Sequence, residues 1–102
     1  MKSPIVRTIE LWRDAGRYAA AAHMAAVSFP GDKHAAARFD LVDGICAAAM
    51  KAGDYAAAEE IRDRHPEDVS IETNWELDDF LESVVIIGYA NVVPITPAYG
   101  AG

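Results

Sequence analysis

The stretch AGRYAAAAH, residues 15–23, returns 37 positions later as AGDYAAAEE, residues 52–60. Both copies place a glycine two residues before a tyrosine that opens an alanine-rich run. Glycine ends helices readily because it enters the left-handed conformation without a Cβ penalty. Alanine is the best helix former. Each copy therefore predicts a helix end, a tight turn and a new helix, so the pair predicts two αα-hairpins.

Breakers and caps around the two copies predict an all-α fold of about five helices. We expect helices over residues 5–14, 17–28, 33–52 and 55–64, with Asp32 and Asp54 as N-caps of the last two. Residues 69–71 are compatible with a short extended segment. A capping box of Thr73 and Glu76 then predicts the start of a C-terminal packing helix.

The C-terminal end of the chain leaves two alternatives open. The β-branched residues 84–87 are compatible with a strand as well as with a continued helix, so residues 84–96 are predicted as one or the other. Residues 91–102 are expected to form an irregular tail. We expect one domain over residues 1–102, with the two hairpins in 5–66 and the acidic segment, last helix and tail in 67–102.

The predicted core combines alanine with a few large anchors. Six aromatic residues are expected to supply these anchors: Trp12, Phe29, Phe39, Tyr55, Trp75 and Phe80. Gly44 lies inside the third predicted helix, where it costs about 1 kcal/mol relative to alanine. We expect a close helix–helix approach to explain its presence.

The two turns also share a pattern with a known repeat family. Each has Gly-x-Tyr at the turn and a small residue three positions later: Gly16, Tyr18 and Ala21, then Gly53, Tyr55 and Ala58. The pattern resembles the tetratricopeptide helical hairpin over residues 5–66. The resemblance implies hairpins that stack side by side. Because two units are fewer than the three usually needed, it also implies that the last helix caps the array.

Charge is distributed unevenly along the chain, which has a formal net charge of −7. Residues 1–51 carry seven Lys/Arg and five Asp/Glu, whereas residues 52–102 carry two and eleven, a net of −9. The segment EDVSIETNWELDDFLE, residues 67–82, holds seven acids and no base. Its candidate partner-binding residues are Glu67, Asp68, Glu72, Trp75, Glu76, Asp78, Asp79 and Glu82.

This acidic segment supports two interpretations. It is either a solvated helix face, whose first-turn acids favour the helix N-terminus, or a surface that docks on Lys/Arg-rich protein. Trp75 is correspondingly a partly buried core residue or the apolar anchor of an interface. The sequence predicts a protein that acts by protein–protein interaction, as an adaptor or assembly protein whose acidic C-terminal half contacts a basic partner.

Two other functions are weighed against this one. In size and charge the chain is similar to small acidic phage-type inhibitors of nucleic-acid-handling machines, including anti-CRISPR proteins, whose target here would be a nucleoprotein complex. A small enzyme is the third alternative, and the chain carries no phosphate-loop, Rossmann or nucleophile-elbow motif, so we expect no enzyme. Direct nucleic-acid binding is disfavoured because phosphate contacts need cations.

No cofactor, metal ion or membrane contact is predicted, and the oligomeric state is left open. His23, His34 and His65 lack zinc-ligand spacing. His65 lies where a helix C-terminus favours a cation. The single Cys46 is expected to pack as a small apolar residue in a reducing, cytoplasmic setting, and the longest apolar run is too short to span a bilayer.

Overall fold

The structure is a computed structural model that describes residues 3–92, with side chains through Ser83. It contains five α-helices and two 3₁₀ turns, and no strand lies within residues 3–92. The α-helices are α1 (Pro4–Asp14), α2 (Tyr18–Ser28), α3 (Ala35–Lys51), α4 (Tyr55–Arg64) and α5 (Ile71–Val92). The 3₁₀ turns span Asp32–His34 and Pro66–Asp68. The predicted all-α fold is confirmed.

The helices pack as two hairpins followed by a fifth helix. Helix α1 contacts α2, and α3 contacts α4, while α2 joins the hairpins by touching both α3 and α4. Helix α5 packs against α3 and α4. The second 3₁₀ turn lies on α3 and α4, so the connection into α5 is fixed by the second hairpin.

The two repeated stretches form the same turn. Gly16 and Gly53 adopt φ of +82° and +84°. The N–H of the residue after each glycine donates to the carbonyl five positions earlier, at 2.9 and 2.8 Å. This bond is the six-to-one contact of a Schellman motif. Tyr18 and Tyr55, which open the following helices, pack half-buried against the core.

The helix starts agree with the sequence in one case and differ in another. Asp54 caps α4 as predicted, because its carboxylate accepts the Ala57 N–H at 3.1 Å. The predicted cap at Asp32 is wrong, since this residue opens a 3₁₀ turn and α3 begins only at Ala35. Gly31, with φ of +83°, turns the chain at that point.

Helix α5 begins earlier than the sequence predicts. The Ser70 hydroxyl accepts the Thr73 N–H at 3.1 Å, so Ser70 performs the capping role and the box starting at Thr73 is wrong. The Asp43 carboxylate on α3 accepts the Ser70 N–H at 2.8 Å, which fixes the start of the helix. Within the predicted extended segment, residues 69–71, Val69 has extended dihedrals, Ser70 caps the helix and Ile71 is its first residue.

The far end of α5 also decides between the two alternatives. The helix runs through Val92, so the strand is wrong for residues 84–92 and the first two residues of the predicted tail are helical. The remainder of the tail, residues 93–102, lies outside the described part of the chain. Position in a continuous helix outweighed the β-branched preference at 84–87, which is a weak and context-dependent signal.

The core is aliphatic rather than aromatic. Its largest fully buried side chains are Ile9, Val42, Cys46, Ile61 and Leu77, surrounded by buried alanines of α2, α3 and α4. None of the six predicted aromatic anchors is fully buried: five are partly buried and Trp75 is exposed. The buried alanines leave little space for rings between the helix axes, so aromatic side chains lie at the edges.

Gly44 does not mark a close helix approach, and that prediction is wrong. The residue is exposed. Within the described part of the chain, a Cβ atom built at Gly44 would meet no neighbouring element within 4 Å.

Candidate docking surface on helix α5

The first three turns of α5 present two different faces. Thr73 and Leu77 are buried. Residues two positions before each of them therefore project from the opposite, outward side of the helix. On the outward face, Ile71 is 65% exposed and Trp75 is 66% exposed. Their i, i+4 spacing places the two apolar side chains side by side.

Exposed carboxylates surround this apolar pair. Glu72, Glu76, Asp79 and Glu82 all lie in the same three turns and are exposed. We call Ile71, Trp75 and these four acids the α5 patch. The arrangement of the α5 patch is that of a small protein–protein interface, with large apolar side chains at its centre and a charged rim around them.

Asp78 belongs to the contact between α5 and α4. Its carboxylate pairs with the guanidinium of Arg62, whose side chain is only 19% exposed. Arg62 also approaches Asp63 at 3.7 Å. Asp78 therefore helps to fix α5 on the second hairpin and is not counted in the α5 patch.

Asp68 is buried, contrary to the exposed acid expected from the sequence. The Arg38 Nε donates to its carboxylate at 3.1 Å, and the two side chains are 15% and 8% exposed. Arg38 also donates to the carbonyls of Phe29 and Gly31, at 2.6 and 3.0 Å. This buried ion pair ties the α2–α3 connection to the turn before α5, so Asp68 is not available at the surface.

Glu67 is exposed but lies on the 3₁₀ turn rather than on α5. It borders a small hollow beside Pro30, Gly31 and Arg38. The structure thus brings together five of the eight candidates, namely Glu72, Trp75, Glu76, Asp79 and Glu82.

Sequence reasoning missed Ile71 as a member of this surface. Ile71 was expected in an extended segment, where its side chain would not align with Trp75. Its spacing of four from Trp75 was the signal that could have placed it on the same helix face.

Two histidines that are distant in sequence meet in the fold. The rings of His23 on α2 and His65 at the end of α4 lie 6.0 Å apart between centroids. Burial lowers the pKa of His65 below its ordinary value of 6.5, and the neighbouring His23 lowers it further. These effects on the pKa of His65 outweigh the nearby carboxylates of Asp68 and Glu67, which raise it. The lowered pKa runs against the sequence expectation that the helix C-terminus would favour the cation.

Cys46 is buried in α3, as predicted for a small apolar residue. Its thiol approaches the Ala58 carbonyl at 3.5 Å. Burial, followed by the nearby Asp43 carboxylate, raises the pKa of Cys46 to about 11. A thiol with so high a pKa is a poor nucleophile at neutral pH.

Within the described part of the chain, no three or more His, Cys, Asp or Glu side chains are grouped so as to hold a metal ion. None of the described helices combines the length and apolar character required to cross a bilayer. No protein-family model, curated protein or solved structure matches this chain.

Proposed function

We propose that the protein acts through protein–protein contact, with the α5 patch docking on a basic surface of its partner. The observation that carries this proposal is the pair Ile71 and Trp75, each about two-thirds exposed within a rim of carboxylates. A tryptophan buries up to about 250 Å², and apolar burial contributes about 25 cal/mol per Å². Covering the exposed two-thirds of Trp75 would therefore contribute at most about 4 kcal/mol before the costs of association.

The four rim acids supply the second part of the interaction. Opposite charge on the partner would raise the association rate and set its orientation, more than it would raise affinity. No Lys or Arg follows Arg64 in the sequence, so no fixed cation in the C-terminal segment competes with those of the partner. The mechanism is occupation of a surface, without a chemical step.

An inhibitor of a nucleic-acid-handling machine is a second form of the same proposal. The net charge of −9 in residues 52–102 favours it, because a surface that binds phosphates would offer the cations that these carboxylates need. An adaptor would leave the partner's nucleic-acid binding intact, whereas the inhibitor would compete with it. Competition by labelled DNA or RNA for the captured partner distinguishes the two.

The test begins with capture of partners from a bacterial lysate on wild-type protein and on the variant Trp75→Ala. The partner retained only by the wild type is purified, and its affinity is measured by titration calorimetry over a salt series. We expect Trp75→Ala to weaken binding by more than about tenfold. We also expect affinity to fall as salt rises. Equal retention by both proteins, or an affinity independent of salt, would overturn the proposal.

A further inference from the structure

Gly44 does not pack against another element among the residues that the structure describes. It lies in the middle of α3, is exposed, and has no other described element within 4 Å of where a Cβ would be. Glycine inside a helix costs about 0.5–1 kcal/mol relative to alanine. No turn or close contact among the described residues accounts for this cost.

Two hollows meet at this glycine. One, of about 700 Å³, opens between α3 and α5 and is bordered by Ala47, Lys51 and Tyr55. The other, of about 350 Å³, opens between α3 and α1. Both are lined by Gly44 and Ala48, so they lie side by side along the outer face of α3. We call these two adjoining hollows together the α3 groove.

The shape of the α3 groove favours a helix as its occupant. Gly44, Ala47 and Ala48 are spaced i, i+3 and i+4, so small side chains form its floor. Such a floor lets a second helix approach at the short end of the usual 8–10 Å axial separation. Residues 3–92 offer no strand edge, which excludes recognition by strand addition within this part of the chain.

Charge around the α3 groove defines the chemistry of that helix. Carboxylates border it from both sides: Glu10, Asp14 and Asp40 on one side, and Glu76 and Asp79 on the other. The bases there are Arg13 and Lys51, and Arg13 pairs with Asp14 at 3.0 Å. The groove therefore carries an excess of negative charge around a small, partly apolar floor.

We propose that the α3 groove receives a basic amphipathic α-helix of the partner protein, with its apolar side against Gly44, Ala47 and Ala48. This inference rests on the proposed function, because it names the kind of partner segment that the acidic surface recognises. Glu76 and Asp79 belong to both the α3 groove and the α5 patch, so one partner can contact both. Lys and Arg side chains of the helix would face the acids on either wall.

The test uses a fluorescent synthetic peptide of about 18 residues, long enough for five helical turns. It has leucine along one face and lysine on the flanks. The variant Gly44→Leu/Ala47→Leu fills the α3 groove without changing charge. The variant Trp75→Ala leaves the groove open and removes the centre of the α5 patch. Gly44→Ala is the control for folding, since its methyl group meets open space.

We expect the peptide to bind the wild type and the Trp75→Ala variant alike, and the groove-filled variant at least about tenfold more weakly. A second peptide with two central prolines should fail to bind, because proline breaks the helix. Fluorescence anisotropy measures all of these affinities, and circular dichroism verifies that each variant is folded.

Three results would overturn the inference, and they separate it from the proposed function. Binding that resists groove filling but is lost in Trp75→Ala places the peptide on the α5 patch, which leaves the proposed function standing. Failure of the peptide to bind the wild type excludes the basic helix as occupant, and the captured partner then tests the α5 patch alone. A wild type that dimerises by light scattering, and becomes monomeric when the groove is filled, identifies a second copy as the occupant.

Discussion

Removing the Asp68 carboxylate tests whether this acid holds the fold together. In Asp68→Ala, Arg38 loses its ion-pair partner at 3.1 Å, at a position where the Arg38 side chain is only 15% exposed in the wild type. Leaving one member of a buried pair uncompensated costs about 3–5 kcal/mol. Arg38 keeps its bonds to the Phe29 and Gly31 carbonyls, which solvate part of the charge. We therefore expect a loss at the lower end, about 3 kcal/mol.

The assay is equilibrium urea unfolding followed by circular dichroism. A domain of this size has a stability of about 5–15 kcal/mol, so the expected loss moves the midpoint clearly while the slope stays constant. The matched control is Glu60→Ala, which removes an exposed acid paired with Arg64 at 3.4 Å. Such a surface i, i+4 pair contributes about 0.3–0.5 kcal/mol.

A double-mutant cycle with Arg38→Met separates the pair from general damage. If the two side chains interact as described, their coupling energy exceeds about 1 kcal/mol. An Asp68→Ala variant as stable as the Glu60→Ala control would show that Asp68 and Arg38 do not form a stabilising buried ion pair. Asp68 would then count as a surface acid, as the sequence suggested.

The remaining predictions concern a glycine, a histidine pair and a thiol. Gly44→Ala should raise the free energy of unfolding by about 0.5–1 kcal/mol in the same urea assay, and a loss would mean that α3 is packed there. Because the pKa of His65 is lowered on folding, the unfolded chain binds the proton more readily, so its contribution to stability falls as pH drops below 6.5. On lowering the pH from 7.5 to below 6.5, the melting temperature should fall less in His65→Gln than in the wild type. Identical pH profiles of the melting temperature in the two proteins would contradict this. Cys46, with a pKa of about 11, should react with a thiol reagent at pH 8 far more slowly in the native protein than in urea, and equal rates would place it at the surface.

Local signals in the sequence predicted most of the helices and both hairpin turns. The turns at Gly16 and Gly53 depend on a few adjacent residues, so the repeated stretch was sufficient to place them. The cap at Asp54 is local in the same sense. The start of α5 is not, because Ser70 is fixed by Asp43, 27 positions earlier.

The candidate site was predicted only in part, because some of its features are local and others depend on contacts between distant residues. Acids spaced along one helix face are visible in the sequence, and Glu72, Glu76, Asp79 and Glu82 do share exposed positions on α5. The burial of Asp68 depends on Arg38, 30 positions away, and the pairing of Asp78 depends on Arg62 in another helix. No local pattern predicts such contacts, since they follow from how the two hairpins pack.

The most direct test of the account compares two double charge reversals that change the net charge equally. Glu76→Lys/Asp79→Lys alters the rim of the α5 patch, whereas Glu59→Lys/Glu60→Lys alters exposed acids on α4. The measurement is the affinity of each variant for the captured partner, by titration calorimetry at one fixed salt concentration. We expect the affinity to fall at least about tenfold for the first variant and to change little for the second. Equal losses in both would show that the partner responds only to overall charge, and would contradict a docking surface on α5.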